Sequence, residues 1–346
     1  MRRPLITWIA LAGATGCAFR AGTMAGDGAA GGSGDAPIID ASPLDVFSDW
    51  WDPAWVTRMQ LTITNGSPSN LPMGYQVGFP IELDGMPCAA ANRDVARIVR
   101  DGVDISRVVD DVDGAAEWIW FPLKVPIASG ATSTEYFLYC KNATPSLAPK
   151  DPNMVFDFFD DFSAGVNSAV WATQGTVVVT GGGIAVAGAG QASGDSGVHS
   201  IAAFGAGYAI DFIAKVASTN APDFWAGFQN GFPDQPPWLH WYAHVSNVIA
   251  PDYWGDMTGA PWYGTNHPLD TAAHLYGVEN YGTSSMYRFA DATTEQHIYE
   301  VPPSPASLNV RLHNNSTANK VEYRMARVRK AANPPPTVVV GTPEQH

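Results

Sequence analysis

Short runs of alternating apolar and polar residues recur along the chain from Trp50 onward. In "RMQLTIT" (58–64), Met59, Leu61 and Ile63 alternate with polar neighbours, the period of a half-buried strand. "YQVGFPIEL" (75–83), "EWIWFPLKV" (117–125) and "TEYFLYC" (134–140) have the same texture, and "NGSPSN" and "IASGATS" punctuate them as turns. These runs predict an all-β unit over 50–145, followed by linker composition in "ATPSLAPKDPN" (143–153). A second series begins at Val155. "GTVVVT", "GYAIDFIAKVA", "DFWAGFQNG", "HLYGVENYG", "SSMYRFAD", "SLNVRLHNN" and "KVEYRMARVRK" follow one another with turn signals between them. No amphipathic helix of useful length interrupts the series, so 154–331 is expected to be an antiparallel two-sheet jelly roll. The expected fold class is all-β, with two β-sandwich domains. Residues 332–346 open on "NPPP" and read as a Pro-rich tail, unsuited to a central strand.

Composition agrees with many turns and few helices: Gly (34) and Pro (27) are abundant among 346 residues. The formal net charge of −14 excludes the basic footprint that nucleic-acid binding needs, and it disfavours electrostatic docking on anionic lipid. The N-terminus has export logic. Arg2 and Arg3 precede a mostly apolar run, Leu5 to Gly16, that is too short to span a bilayer. It ends in "ATGC", and small residues before Cys17 resemble the bacterial lipobox, with Ala14 where Leu is usual. That resemblance implies cleavage before Cys17, lipidation of its thiol, and with Ala18 next, sorting to the outer membrane. The plainer alternative is an ordinary secretory signal. Residues 18–49, rich in Gly and Ala, cannot bury a core and read as a flexible tether. Export also permits a disulfide between Cys88 and Cys140. Its loop of about 53 residues would be worth on the order of 4 kcal/mol in the chain-entropy account. Two buried free thiols are the alternative.

"WWDPAWVTRMQLTITN", "YQVGFPIELD", "VRDGVDISRVVDD" and "WIWFPLKVPIASGATSTEYFLYCKN" together resemble a bacterial domain family of unknown function. Its members read W-x-R-x-x-I-T-I-x-N, then D-G-x-D-I-R-F, then W-V-K-V-P and a strand ending Y-Y-G-N. This chain departs from it at Ser106 and at Cys140-Lys141. That family often precedes a concanavalin-A-like lectin/glucanase domain opening F-x-D-D-F. Here "FFDDF" with Trp171 resembles that opening, and "VEYRMARVRK" with its proline-rich sequel resembles the close, Arg324 replacing an acid. The resemblance spans roughly 50–341 and implies a lectin-like jelly roll in the second half.

Glucanases of that family carry E-x-D-x-E or E-x-D-x-x-E on one strand, so that two carboxylates share a face. The spacing is absent here. Asp211 and Glu279 each stand alone on their strands. Asp160 and Asp161 are adjacent and so point to opposite faces of a strand. Their expected use is pairing with Arg324, Arg327 or Arg329 of the closing strand, with Ca²⁺ coordination as the alternative. The richest candidate is 224–263. Trp225, Trp238, Trp241, Trp254, Trp262 and Tyr253 stand there among Asn230, His240, Asp252 and Asp256. Aromatic faces beside amide and carboxylate groups are what a sugar ring needs. The plainer use of the same aromatics is packing. His240 and His244 have H-x-x-x-H spacing, but Trp241 stands where a zinc protease has Glu. The resulting expectation is a surface lipoprotein, anchored only through its lipid, whose second domain binds carbohydrate or another surface polymer without catalysis. Two alternatives stand beside it. One is a glycoside hydrolase or lyase using dispersed carboxylates such as Asp211, Asp252, Asp256 or Glu279. The other is an adhesion module that binds a protein.

Overall fold

The computed structural model describes residues 50–80, 95–110, 118–188, 196–220, 222–230, 236–243, 248–255, 261–289, 293–299, 303, 306–316 and 319–346. Cys17, Cys88, His244 and Asp256 lie outside them. The expected all-β class is what is found: among the described residues the only helix is the single turn α1 (Pro152–Val155).

The first sandwich contains β1 (Trp55–Thr64), β2 (Gln76–Pro80), β3 (Arg97–Arg100), β4 (Val103–Ile105), β5 (Val108–Asp110), β6 (Trp118–Pro122) and β7 (Thr132–Asn142). The alternation read from the chain sets its register. Met59 pairs with Leu138 and Leu61 with Tyr136 across β1 and β7, all facing inward. Val77 and Phe79 of β2 with Ile119 and Phe121 of β6 close the other side of that core. Cys140 is buried in it and disulfide-bonded.

The second sandwich follows α1. Its strands in order are β8 (Phe158–Asp160), β9 (Trp171–Gln174), β10 (Thr176–Thr180), β11 (Gly183–Ala187), β12 (Ser196–Phe204), β13 (Tyr208–Val216), β14 (Phe224–Gln229), β15 (Trp238–Ala243) and β16 (Val248–Trp254). Then come β17 (Trp262–Tyr263), β18 (His267–Pro268), β19 (His274–Asn280), β20 (Ser284–Phe289), β21 (Thr293–Ile298), β22 (Leu308–Asn314) and β23 (Lys320–Lys330). One antiparallel sheet runs β10-β11-β23-β13-β19-β20-β21, and the other runs β17-β16-β15-β14-β22-β12-β9. Ile210 and Phe212 of β13 and Tyr323 and Val328 of β23 meet Phe224 and Phe228 of β14 and Val310 and Leu312 of β22. This is the expected jelly-roll arrangement of two face-packed antiparallel sheets.

Two expectations change at the ends of this sandwich. The opening strand β8 does lie against the closing strand β23, with Asp160 opposite Ala326. Its aspartates do not reach the closing arginines. Asp160 accepts from the Phe162 N–H at 2.7 Å and the Trp171 indole N–H at 2.7 Å, and Asp161 accepts from the Ser163 N–H at 3.0 Å. Short carboxylates close local turns before they can span to a neighbouring strand. The ion pair between opening segment and closing strand is instead Asp157 with Lys330, at 2.6 Å. The second change is the tail. β24 (Thr337–Val340) and β25 (Glu344–Gln345) return to the first sandwich and pair with β1, Leu61 opposite Val340 and Ile63 opposite Val338. The prolines precede the strand, and the strand is an edge, where Pro nearby is tolerated.

The two sandwiches meet through a charged junction. Arg327 and Arg329 of β23 both reach Asp211 of β13, at 3.0 and 2.9 Å. Arg329 also holds Glu279 of β19 at 2.7 Å, and Arg288 of β20 holds it at 2.6 Å. From the first sandwich, Asp110 takes Arg327 at 2.6 Å and the Trp120 indole N–H at 2.8 Å. The Arg327 guanidinium lies 4.9 Å from the Trp120 ring centre and 4.7 Å from that of Phe156. Burial pushes the Asp211 carboxyl up, but Arg329 and Arg327 outweigh it and hold it below the usual carboxylate range. Burial raises Glu279, against the pull of Arg329, and the Tyr281 hydroxyl donates to it. Asp211 and Glu279 are thus both engaged in ion pairs at the junction.

Candidate functional site

β14 is buried at every position, yet only half of it belongs to the core. Phe224, Ala226 and Phe228 point inward, so alternation turns Trp225, Gly227 and Gln229 to the outer face of the sheet. Register carries this face across five strands. Opposite Gly227 stand His240 of β15 and Arg311 of β22; beyond them are Asp252 of β16 and His199 of β12. The row therefore reads His199, Arg311, Gly227, His240, Asp252, with Tyr263 of β17 opposite Asp252. The flanking row on one side holds His313, Trp225 and Tyr242, and that on the other holds Gln229, Trp238 and Trp254.

Gly227 sits in the middle of this surface for a steric reason. A Cβ there would collide with the Leu239 carbonyl oxygen and lie 3.0 Å from the His240 Cα. The Gly227 backbone therefore lies close against β15, and the centre of the face carries no side chain. Strands about 4.8 Å apart place the backbones bearing Arg311 and His240 about 10 Å from each other across it. Aromatic rings flank this position. Trp225 stacks on His313 with centroids 4.3 Å apart and packs on Tyr242 at 5.2 Å. Trp238 lies parallel to His240 at 6.0 Å, meets Trp254 edge-on at 4.8 Å, and donates its indole N–H to Asp252 at 2.7 Å.

The electrostatics follow from burial around one guanidinium. Burial first, and then the Arg311 charge, hold His240 well below the ordinary histidine value; His313 is depressed in the same way, with His240 adding to it. His199, less buried, is lowered by the same two causes. These imidazoles are neutral at neutral pH, so each ring has one donor and one acceptor nitrogen. His240 is 0% exposed, and neither of its ring nitrogens has a hydrogen-bond partner. A buried polar atom without a partner is rare enough to need a reason. No group of three or more His, Cys, Asp or Glu side chains with metal-binding geometry occurs among the described residues.

Of the residues expected to bind ligand, Trp225, Trp238, His240, Asp252 and Trp254 share this outer face. Trp241 and Tyr253 do not: both point into the core, where Trp241 donates to the Gly277 carbonyl at 3.0 Å and Tyr253 stacks on Tyr299 at 4.4 Å. Trp262 packs against the same core, its ring stacked on His297 at 4.1 Å. Asn230 stands exposed past the end of β14, and its N–H reaches the Pro237 carbonyl at 3.3 Å. Asp256 is outside the described residues. An unbroken aromatic segment cannot form one surface when successive strand residues face opposite ways. Gln229, Arg311, His313 and His199 were not anticipated. The signal for two of them was in "SLNVRLHNN": Leu308, Val310 and Leu312 alternate with Asn309, Arg311 and His313.

No protein-family model and no curated protein matches this chain. Solved structures resemble about half of it. One, from endo-acting O-glycanases of the human gut microbiota that initiate mucin breakdown, is 16% identical over 51% of this chain and 99% of its own, with a TM-score of 0.42. A Bacillus licheniformis beta-glucanase is 15% identical over 50% of this chain and 97% of its own, with a TM-score of 0.38. A pseudo beta-1,3-glucanase of Mycobacterium tuberculosis is 13% identical over 51% and 99%, with a TM-score of 0.40. At such identities and scores these likenesses carry no inference about the site.

Proposed function

We propose that this chain binds carbohydrate, or another sugar-bearing surface polymer, on the outer face of the β14–β15–β22 sheet, without cleaving it. The observation that carries the reading is a buried His240 whose two nitrogens have no hydrogen-bond partner, beside the side-chain-free position of Gly227; in this reading the sugar lies over Gly227, in a recess between the flanking aromatic rings. A sugar ring has apolar C–H faces for Trp225 and Trp238 and hydroxyls for a neutral imidazole, which can donate through one nitrogen and accept through the other. The binding reading is supported by the state of the carboxylates. Asp211 and Glu279 are ion-paired on the opposite sheet, and Asp252 already accepts the Trp238 N–H. The same proposal keeps the lipid anchor at Cys17, which would hold the chain at the cell envelope, probing polymers from an outer-membrane surface.

A glycan array read with the intact chain and with Trp225→Ala, Trp238→Ala and His240→Ala tests the site. Binding that falls at least tenfold in each variant is the expected result. Absence of any bound glycan, or unchanged binding in all three, overturns it. Release of reducing ends or unsaturated sugars from a polysaccharide panel would instead make the neutral His240 a base and the face an active site.

A further inference from the structure

A cavity of about 200 Å³ lies at the junction, on the sheet opposite to the Gly227 recess. Asp110, Trp118 and Trp120 line it from the first sandwich, and Asp211, Arg288 and Arg327 from the second. Charge and hydrogen bonding there are unequally settled. The two carboxylates and two guanidiniums balance, and Asp110 and Asp211 are both engaged by Arg327. Two donors are left over. The indole N–H of Trp118 and the Nε–H of Arg288 are buried without acceptors. By contrast, Trp120, two residues along the same strand, gives its indole N–H to Asp110. Buried donors are seldom left without an acceptor, so acceptors are what the cavity lacks.

Shape limits what can supply them. The volume is below the roughly 300–1,000 Å³ of sites for drug-sized ligands, which suits a single ring. Trp118 and Trp120 lie nearly parallel, 19° apart with centroids 5.7 Å from each other, and offer an indole platform. Arg327 and Arg329 occupy positions 4.9 and 5.2 Å from the Trp120 ring centre, which leaves Trp118 as the platform's cation-free member among the described contacts. Gly277 keeps the floor low, since a Cβ there would come 3.1 Å from Asp211 Oδ1 and 3.4 Å from Arg288 Nε. An anion would upset a balanced set of charges, and a purely apolar group would leave both donors unmet.

We propose that this junction cavity is a second ligand site, built for one neutral, hydroxyl-bearing ring such as a pyranose unit. Ring oxygens or hydroxyls accept from Trp118 Nε1 and Arg288 Nε, and a C–H face packs on the Trp118 indole. The site stands independently of the Gly227 recess. If both are occupied, the chain engages sugar units on opposite faces of the second sandwich, and the two contacts raise avidity toward a polymer long enough to reach both.

The test uses the intact chain carrying Trp225→Ala and Trp238→Ala, so that the recess contributes nothing. Methyl glycosides of glucose, galactose, mannose and N-acetylglucosamine are titrated by calorimetry, with glucuronate as the charged comparison. Saturable binding of at least one neutral glycoside is expected, lost at least tenfold on adding Trp118→Ala and weakened on adding Trp118→Phe, which keeps a ring but deletes the N–H. The indole N–H resonance of Trp118 provides a readout in the unmutated chain and is expected to shift on saturation, even if Trp118→Ala does not fold. No neutral glycoside bound, tighter binding of glucuronate, an unmoved Trp118 resonance, or affinity indifferent to Trp118→Ala would each overturn the proposal and leave ordered water as the occupant. Because the recess is silenced in this experiment, its outcome is separate from that of the glycan array.

Discussion

Replacing His240 with leucine is expected to stabilise the protein while abolishing its ligand binding. The imidazole is fully buried and both of its nitrogens lack partners. Each unmet polar atom of this kind costs roughly 1–3 kcal/mol, and an apolar side chain of similar size removes that cost. Allowing for imperfect repacking, His240→Leu should gain about 1–2 kcal/mol near neutral pH. Acid should enlarge the gain. Burial, and then Arg311, hold the folded imidazole well below its ordinary value, whereas the unfolded chain takes up a proton below about pH 6.5. The unfolded state therefore binds more protons as pH falls. The wild-type contribution is fully present above about pH 6.5 and is lost on acidification toward the depressed folded value, at about 1.4 kcal/mol per pH unit. Urea unfolding at a series of pH values, run beside the glycan array, reads both effects. The leucine variant should unfold at higher urea at neutral pH and show a shallower pH slope, with His313 and His199 contributing to what remains. A variant less stable than wild type by more than about 1 kcal/mol, or one with an unchanged slope, would show that His240 is a satisfied structural residue and remove the main support for the site.

Asp211→Ala leaves Arg327 and Arg329 buried without their shared carboxylate, and should cost about 3–5 kcal/mol in urea unfolding, with glycan binding at the recess retained in the folded fraction. Deleting residues 337–346 removes two strands from β1 and the packing of Val338 and Val340 on the first core. A loss of about 2 kcal/mol and faster hydrogen exchange of the β1 amides are expected, with unchanged exchange refuting the pairing. Cys17→Ala should abolish incorporation of labelled palmitate and release the chain from the membrane fraction in cells; retained label would disprove the lipobox reading.

Strand identity was legible because it rests on local alternation. Met59, Leu61 and Ile63 announced β1, and Leu308, Val310 and Leu312 announced β22, since a period of two is the same in any sheet that has one buried face. Local chemistry was legible too where it closes on itself, but it was easily mistaken for something longer-range. Asp160 and Asp161 looked available to distant arginines and instead cap their own turn.

What the chain alone left open was which outward face matters and what lies against it. Trp238, Trp241 and Trp254 are indistinguishable as letters; only the sheet's place in the sandwich turns Trp241 inward and leaves the other two beside Gly227. Arg311 lies some 70 residues from His240 in sequence, and about two strand spacings from it in the sheet, because β14 inserts between their strands. Asp211 and Glu279 became structural residues only when β23 and the first sandwich closed over them with arginines and Asp110. The Pro-rich terminus became an edge strand only because β1 had a free side to offer. Alternation is a property of neighbours in the chain, and it survives in sequence. Long-range pairing is decided by what else is in the fold, and a polar residue takes its role from the partner that arrives.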